Sequence, residues 1–189
     1  MNILVGYATA HESTKGIAKA IGETLTRAGL DAEVRPMDEI YTLDAYDAVV
    51  LGSAIHGGSW LPEAASFVEV RAAQLAARPV WLFSVSSVGE TSSVFGPKVA
   101  GFMRRMRTET KEIAGFRKLF RPRDHRSFAG AIERAHWNLA GDLFLKAFGG
   151  SYGDHRDWVD IATWADGIAR ELRAPGRAVS ATAQDLHAG

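Results

Sequence analysis

The stretch that decides the fold is Asn2-Ile3-Leu4-Val5-Gly6-Tyr7-Ala8-Thr9-Ala10-His11-Glu12-Ser13-Thr14-Lys15. It opens as an apolar strand, continues as a turn rich in hydroxyl groups, and ends where a helical pattern begins. The first N–H groups of a helix lack intrahelical partners and carry the positive end of the helix dipole. A turn that places Thr9, Ser13 and Thr14 beside those groups therefore predicts a phosphate-binding site. The alternative interpretation is an ordinary strand-to-helix turn with Ser13 as N-cap.

The spacing of glycines narrows the type of phosphate site. The glycine pattern of a dinucleotide-binding loop is absent from this turn, and so is the Gly-Lys-Ser/Thr ending of a P-loop. A site built from hydroxyl groups and backbone amides remains.

Outward from this turn, strand and helix patterns alternate, which predicts an α/β fold with a parallel sheet. We expect strands at 3–9, 32–36, 48–53, 80–85 and 127–132, and helices at 15–28, 62–77, 99–114 and 158–173. Residues 1–175 are expected to form one domain, and 176–189, rich in alanine and small polar residues, a disordered tail. Ligands of such sheets bind beyond the carboxyl ends of the strands. The loops at 9–14, 54–61 and 86–97 are therefore the candidate site.

The second and third of these loops suit a planar, hydrogen-bonding ring. Glycines in the second loop allow close approach of the backbone, and His56 or Trp60 could cover the ring. The third loop is almost entirely small and polar. The predicted cofactor-binding residues are Thr9, Ala10, His11, Glu12, Ser13, Thr14, Ala54, Ile55, His56, Gly57, Trp60, Ser86, Ser87, Val88 and Gly89. His56 is a weak candidate for proton transfer, because imidazole titrates near neutrality.

Composition excludes several classes of protein. The chain has 189 residues, 47% of them hydrophobic, and no cysteine, so disulfides, thiolate metal sites and cysteine nucleophiles are excluded. No apolar run approaches the roughly 20 residues that a membrane span needs, and no signal peptide is evident. We expect a cytoplasmic protein, and the sequence predicts no metal site.

Basic residues are concentrated between 103 and 126. Nine Lys or Arg against three acids give this segment a charge of +6, while the whole chain is neutral. Such asymmetry favours contact with anions such as carboxylated substrates or acidic lipid headgroups. Nucleic acid is not expected as a partner, because no base-reading module is recognisable.

An apolar segment, 136–150, precedes the last helix. Asn138, Asp142 and Lys146 form one polar stripe on an otherwise apolar helix. The segment is too short to span a bilayer. It could lie peripherally in an anionic membrane surface, hold a hydrophobic substrate, contact a partner, or pack as an extra core helix.

Two resemblances follow from these motifs. The run Tyr7-x-Thr9-x-x-Glu12-x-Thr14-x-x-x-Ala18-x-x-Ile21 resembles the flavodoxin signature. The chain is further similar to the menaquinone-dependent protoporphyrinogen oxidases in Gly52-Ser53-Ala54-Ile55-His56-Gly57-Gly58, Phe67-Val68, Phe83-Ser84-Val85, Phe128-Ala129-Gly130-Ala131 and 143–150.

These resemblances imply a doubly wound, five-stranded parallel sheet in the order 2-1-3-4-5, with helices on both faces and a helical insertion before the last helix. They imply FMN as cofactor and oxidation of a tetrapyrrole, protoporphyrinogen, with a quinone as acceptor. Arg121 and Arg123 would then hold propionates, and Trp137 and Phe144 would contact the apolar substrate. The alternatives are a flavodoxin-type electron carrier, and a flavodoxin-like module that binds a deazaflavin coenzyme, a porphyrin or a protein partner.

Overall fold

The computed structural model describes residues 1–106, 109–134 and 139–174. The strands are β1 Asn2–Ala8, β2 Asp31–Pro36, β3 Ala48–His56, β4 Ser59–Trp60, β5 Val80–Ser86, β6 Asp124–Ala129, β7 Ala131–Ile132 and β8 Gly153–Asp154. The helices are α1 Ser13–Arg27, α2 Pro62–Val70, α3 Ala72–Ala76, α4 Pro97–Met106, α5 Lys111–Phe120, α6 Leu139–Ala147 and α7 Trp158–Arg173, with a short 3₁₀ turn at Met37–Glu39. The predicted tail, 176–189, lies outside the described residues.

The central sheet has the order β2-β1-β3-β5-β6, and all four of its pairings are parallel. With β5 and β6 as the fourth and fifth parallel strands, this confirms the predicted order. The short strand β4 pairs antiparallel with the end of β3. The carboxyl ends of β1, β3, β5 and β6 consequently meet at one edge of the sheet, where ligands of such folds bind.

Helices cover both faces of the sheet because its strands are apolar on both sides. On one face α1 and α7 pack over side chains such as Ile3, Phe83 and Phe128. On the other face α2, α3 and α5 pack over side chains such as Leu51 and Leu82. Successive residues of a strand point to opposite faces, so each strand contributes alternately to the two clusters.

Several predicted boundaries are wrong. The predicted helix 99–114 is two helices, α4 and α5, because the backbone is extended at Thr110 and its side chain accepts a hydrogen bond from the Ile113 N–H. The predicted helix 62–77 is also divided, at Arg71. The last strand of the sheet begins at Asp124 and ends at Ala129, three residues earlier than predicted at each end. The first residues of this strand are polar, so a prediction based on apolar runs places its start too late.

The insertion forms α6 and the small β7–β8 sheet. Leu145 of α6 is 1% exposed and packs with Val88, Val94 and Phe95 in a separate small core. The polar side of the helix is paired internally, since Asp142 accepts hydrogen bonds from Lys146 Nζ at 2.9 Å and from the Tyr152 hydroxyl at 3.0 Å. One side of α6 therefore serves core packing. No helix in the described ranges is long and apolar enough to cross a membrane.

Candidate functional site

A cleft of about 310 Å³ lies at the carboxyl edge of the sheet. Residues of the three loops predicted to form the site (9–14, 54–61 and 86–97) and of the turn after β6 line this cleft. The residues around it are Thr9, Ala10, His11, Ser13, Thr14, Ala54, Ile55, His56, Val85, Ser86, Ser87, Gly130, Ala131, Ile132 and Glu133. We refer to it as the cofactor cleft, because the predicted cofactor-binding residues are concentrated there.

The turn between β1 and α1 contains two buried hydroxyl oxygens that have no hydrogen-bond partner in the described structure, Thr9 Oγ1 and Thr14 Oγ1. Thr14 is fully buried, in the first turn of α1. A buried polar atom without a partner costs roughly 1–3 kcal/mol. Both oxygens belong to residues that line the cofactor cleft, beside the N–H groups of the helix start. The turn therefore fits a bound phosphate group, which would satisfy hydroxyls and amides together.

Glu12 does not bring its carboxylate to this turn. Its backbone is left-handed, with φ of 60°, at the N-cap position of α1. The carboxylate lies 2.7 Å from Lys15 Nζ, and the side chain is 72% exposed. The negative charge is thus compensated at the surface. Glu12 was predicted to contact the cofactor, but it is not among the residues that line the cofactor cleft. The alternative of Ser13 as N-cap is wrong, because Glu12 occupies that position.

Ser13 has a different structural role from a cap. Its Oγ accepts a hydrogen bond from the Ala131 N–H at 2.9 Å. Gly130 lies against the same side chain, since a Cβ built there would be 2.8 Å from Ser13 Oγ. Ser13 therefore links the turn between β1 and α1 to the residues that follow β6. This contact closes the cofactor cleft on that side.

The loop predicted after the third strand is a β-hairpin. Gly57 and Gly58 have φ values of 60° and 85°, and His56 pairs with Ser59. Two central residues with positive φ match a type I′ turn, the connection that suits the twist of a hairpin. His56 is exposed and lines the cofactor cleft. The hairpin thus forms one wall of the site.

Trp60 does not stand at the cofactor cleft as predicted. The hairpin turns its ring into the core, where it is 2% exposed and meets Phe116 edge-on at 5.4 Å between centroids. Its indole Nε1 donates to Ser84 Oγ at 2.8 Å. Pairing of Ile55 with Trp60 on a two-residue turn imposes this orientation, which the letters Gly-Gly-Ser-Trp alone do not show.

The loop after β5 is held by backbone contacts rather than displayed freely. The Ser86 hydroxyl donates to the Val88 carbonyl at 3.0 Å, and Val88 is buried. A Cβ on Gly89 would lie 2.3 Å from the Ala129 nitrogen, so only glycine fits beside β6. Arg104 of α4 donates to the carbonyls of Gly89 and Ser92 at 2.8 and 2.9 Å. Val88 and Gly89 were both predicted as cofactor contacts. In the structure Val88 is buried and Gly89 packs against β6, so both hold the loop in place.

A partly buried ion pair fastens the same loop to α7. Arg126 of β6 pairs through Nη2 with Asp160 Oδ1 and lies 3.4 Å from Glu90 through Nη1. The Thr91 hydroxyl donates to Asp160 at 3.2 Å. The hydrogen bond to Asp160 raises the pKa of Arg126 above its usual value, against the opposing effect of burial. The loop therefore keeps its position relative to β6 and the start of α7.

A second and larger cavity of about 770 Å³ adjoins the cofactor cleft on the face opposite α1. We call it the chamber. It shares Ile55, Ser86 and Ser87 with the cofactor cleft. The rest of its lining is Gly57, Gly58, Ser84, Val88, Glu90, Phe102, Met103, Met106, Glu109, Thr110, His125 and Ser127.

The polar wall of the chamber was missed in the sequence. Ser84 lies in β5 on the face that carries Leu82, and His125 and Ser127 lie in β6 on the same face. Ser84 Oγ is 2.8 Å from His125 Nε2. Apolar residues are expected at helix-covered positions of a parallel strand. Alternate residues of β5 on this face are Val80, Leu82 and then Ser84. This change from apolar side chains to serine is the signal in the sequence that could have indicated the polar wall.

The predicted substrate residues are not brought together. Arg121 and Arg123 precede β6, and the Arg123 N–H donates to the Val80 carbonyl, at the amino edge of the sheet. The cofactor cleft lies at the opposite edge, about 20 Å away along a six-residue strand. Arg123 pairs there with Glu171 at 2.5 Å. Trp137 lies outside the described residues, and Phe144 lies on α6 with its side chain outside the described part.

Three further residues of the basic segment make structural contacts. Arg104 and Arg126 hold the loop after β5, as above, and Arg117 pairs with Glu109 at 2.7 Å. Arg107 lies outside the described residues. In the described ranges, no three His, Asp or Glu side chains are grouped so that they could hold a metal ion.

Comparison with known proteins agrees with this architecture. A family model described as a flavodoxin domain matches residues 4–145. The rubredoxin oxygen:oxidoreductase of Desulfovibrio gigas aligns over 92% of this chain at 16% identity with a TM-score of 0.58, and the match spans only 36% of that longer chain. Oxidised flavodoxin 2 of Bacillus cereus aligns over 90% of this chain and 99% of its own at 19% identity, with a TM-score of 0.57.

A cysteine-to-serine mutant of flavodoxin from Pseudomonas aeruginosa aligns over 91% of this chain and 99% of its own at 14% identity, with a TM-score of 0.52. No curated protein matches the sequence. At these identities the structural likeness is one of fold. The family match implies FMN as the cofactor, which confirms the cofactor prediction. Nothing in the comparisons supports the more specific resemblance to protoporphyrinogen oxidases.

Proposed function

The chain belongs to the flavodoxin domain family, and on that basis we propose that it is an FMN-dependent oxidoreductase with a small-molecule substrate. The redox chemistry comes from FMN when it is bound. The Thr9 and Thr14 hydroxyls would donate to its phosphate, together with the N–H groups at the start of α1. The β3–β4 hairpin and the loop after β5 would hold the ring between them. These elements orient the cofactor and exclude water from one side.

The observation that carries an enzymatic function is the chamber. An electron carrier needs only an exposed cofactor edge for a protein partner, whereas an enzyme also needs space beside the cofactor for its substrate. The chamber has about 770 Å³, within the range of 300–1,000 Å³ typical of ligand sites. It adjoins the cofactor cleft through Ile55, Ser86 and Ser87. A molecule of moderate size in this space would lie next to the ring.

The specific reaction that we propose is oxidation of protoporphyrinogen with a quinone as acceptor. It is supported by the sequence resemblance alone. The deciding assay is anaerobic: FMN-loaded protein is supplied with protoporphyrinogen and a menaquinone analogue, and porphyrin fluorescence is followed. We expect fluorescence to rise only when both FMN and the quinone are present. No porphyrin formation by a fully flavin-loaded protein would exclude this reaction and leave an oxidoreductase with another substrate pair.

An electron carrier is the second candidate, because two flavodoxins align over 99% of their own length with this chain. The two functions differ in what oxidises the reduced protein. A carrier would transfer electrons to redox proteins and react slowly with every small molecule tested. Stopped-flow reoxidation of the photoreduced protein by a panel of quinones and by ferredoxin-type partners separates them.

We also propose peripheral contact with anionic membranes. α4 exposes Phe102 and Met106 beside Arg105, and α6 exposes Leu143. Apolar side chains with adjacent cations favour the surface of an acidic bilayer. Co-sedimentation with anionic vesicles should decrease as salt rises, because exposed charges are screened beyond about 8–10 Å at physiological ionic strength. Absence of binding at low salt would remove membranes from the list of partners.

A further inference from the structure

The first turn of α1 contains a glycine, Gly16, although its backbone there is that of an ordinary helix. The Gly16 N–H donates to the Glu12 carbonyl at 3.1 Å, and its φ is not positive. Glycine inside a helix is less favourable than alanine. A Cβ built on Gly16 would lie 2.3 Å from Arg156 Nη1. The space that a side chain would fill is therefore occupied by a guanidinium group.

Arg156 is held in a defined orientation by its neighbours. Asp154 accepts two hydrogen bonds from the guanidinium, from Nε at 2.8 Å and from Nη2 at 2.7 Å, and a third from the Arg156 backbone N–H at 3.0 Å. Such a two-pronged pair fixes direction as well as distance. The guanidinium carbon also lies 4.4 Å from the centroid of the Trp158 ring. Because the side chain is only 19% exposed, Nη1 stays directed at α1.

Nη1 of Arg156 lies over the beginning of α1. The Cα–Cβ bond of a helical residue is tilted toward the N-terminus of its helix, and Nη1 is close to the position that a Gly16 Cβ would take. Gly16 is three residues after the first residue of α1, a rise of about 4.5 Å along the axis. The guanidinium thus packs on the same helical turn whose N–H groups would bind a phosphate.

The β7–β8 sheet holds α1 at a second point. The Ala131 N–H of β7 donates to Ser13 Oγ at 2.9 Å, and Ala131 pairs with Asp154 of β8. Ser13 and Gly16 are separated by three residues, so they lie on the same face of the helix. The sheet therefore contacts this face directly at Ser13 and, through Arg156, at Gly16. Two contacts on one turn restrict both its position and its rotation.

This first turn carries the groups that fit a phosphate. Ser13 and Thr14 line the cofactor cleft, and the buried Thr14 hydroxyl has no partner in the described structure. A site whose groups are already in place loses less free energy on binding than one that must be ordered. Supporting contacts behind the binding groups provide that order. Arg156 is not among the residues that line the cleft, so it acts on the phosphate site through α1.

From these contacts we propose that Arg156 is a positioning residue of the phosphate site. By holding the first turn of α1 against the β7–β8 sheet, it determines how strongly the protein prefers FMN to riboflavin. Asp154 orients the guanidinium, and the absence of a side chain at Gly16 admits it. The inference rests on FMN binding at the cofactor cleft and is independent of the reaction that the flavin carries out.

Comparison of FMN with riboflavin tests the proposal, because riboflavin has the same ring and ribityl chain and lacks the phosphate. Fluorescence titration of the flavin-free protein measures both affinities. Arg156→Ala should raise the dissociation constant of FMN roughly tenfold, as expected when one hydrogen bond to a charged group is partly lost, and leave that of riboflavin unchanged. An equal loss for both flavins would show a general structural effect and overturn the proposal. Unchanged FMN affinity would also overturn it.

Gly16→Ala tests the same contact from the other side. The new methyl group should displace the guanidinium and weaken FMN by a similar factor. In the Arg156→Ala background the same change should have no further effect, because the nearest remaining atom is Trp158 Cη2 at 3.8 Å, an ordinary contact distance. Two changes that act through one contact are not additive. Additive losses of FMN affinity in the double variant would overturn the proposal.

Arg123 provides a matched control at the opposite edge of the sheet. It also pairs with a carboxylate, Glu171 at 2.5 Å, and lies over a tryptophan ring, Trp81 at 5.5 Å. Arg123→Ala should leave both flavin affinities unchanged, and a selective loss of FMN there would overturn the proposal. Thermal melting shows whether each variant is folded. If Arg156→Ala is not folded, Gly16→Ala decides by itself, since alanine favours the helix. A protein that retains this preference for FMN but oxidises no substrate would refute the proposed enzymatic function alone.

Discussion

Replacing Thr14 by valine should change the flavin-free and FMN-bound protein in opposite directions. Valine has nearly the shape of threonine and lacks its hydroxyl. In the flavin-free protein this hydroxyl is fully buried and has no partner in the described structure. Removing an unsatisfied buried group recovers part of a cost of roughly 1–3 kcal/mol. Thr14→Val should therefore raise the free energy of unfolding of the flavin-free protein by about 1 kcal/mol.

The same substitution should weaken FMN. A hydrogen bond to a charged group contributes about 1.5–3 kcal/mol, and each 1.4 kcal/mol corresponds to about a tenfold change in affinity. The dissociation constant should rise about tenfold to a hundredfold. Fluorescence titration of FMN into flavin-free protein gives the affinity, and urea denaturation of the same preparation gives the stability.

Thr24 provides a matched control on the same helix. It is also buried, but its hydroxyl donates to the Ala20 carbonyl at 2.9 Å and accepts from Arg27 Nη2 at 2.9 Å. Thr24→Val should destabilise the protein by about 1 kcal/mol and leave FMN affinity unchanged. If Thr14→Val instead loses stability like Thr24→Val and binds FMN as the parent does, the Thr14 hydroxyl does not face the phosphate and our reasoning about the turn is refuted.

Three further substitutions test other parts of the structure. Gly89→Ala should force the loop after β5 away from β6, lowering FMN affinity and costing about 1–3 kcal/mol of stability; Gly101→Ala, where a Cβ meets open space in α4, should do neither. Asp157→Ala should cost about 1 kcal/mol in urea denaturation at neutral pH by removing the N-cap of α7. The Asp160 N–H lowers the pKa of Asp157, so the difference should shrink as pH falls through that lowered pKa. An undiminished difference in acid would contradict this. Arg121→Ala should leave FMN titrations unchanged, because Arg121 lies at the far edge of the sheet; a loss of affinity would contradict that placement.

The sheet order was predicted through the resemblance to flavodoxins, whereas the position of the cofactor cleft follows from local signals. Apolar runs located most of the strands, and the hydroxyl-rich turn before α1 located the phosphate site. The bounds of the last strand were predicted wrongly because its polar residues Asp124 and Arg126 bind partners that are distant in the sequence. Asp124 accepts from Trp164 Nε1 at 2.7 Å, and Arg126 pairs with Asp160.

The chamber could not be predicted from local patterns. Ser84, His125 and Ser127 come together only after β5 and β6 pair, and α4 approaches them through Arg104 contacts with a loop. Trp60 was misassigned for a related reason: whether a tryptophan after two glycines faces ligand or core depends on the hairpin register. The prediction that Arg121 and Arg123 bind substrate did not take the topology into account. Residues that precede a parallel strand lie at the amino edge of the sheet, opposite to the edge where ligands bind.

The polar wall of the chamber has a consequence for how the native chain opens. β6 is an edge strand whose chamber side carries His125 and Ser127, so its apolar packing comes mainly from Phe128 against Trp164 on the other face. Regions with fewer buried apolar contacts open at lower free energy than the rest of a domain. Amide hydrogens of β6 should therefore exchange faster than those of β1, β3 and the first half of β5. A ligand seated on the wall would slow that exchange, and the protected amides would outline where it lies.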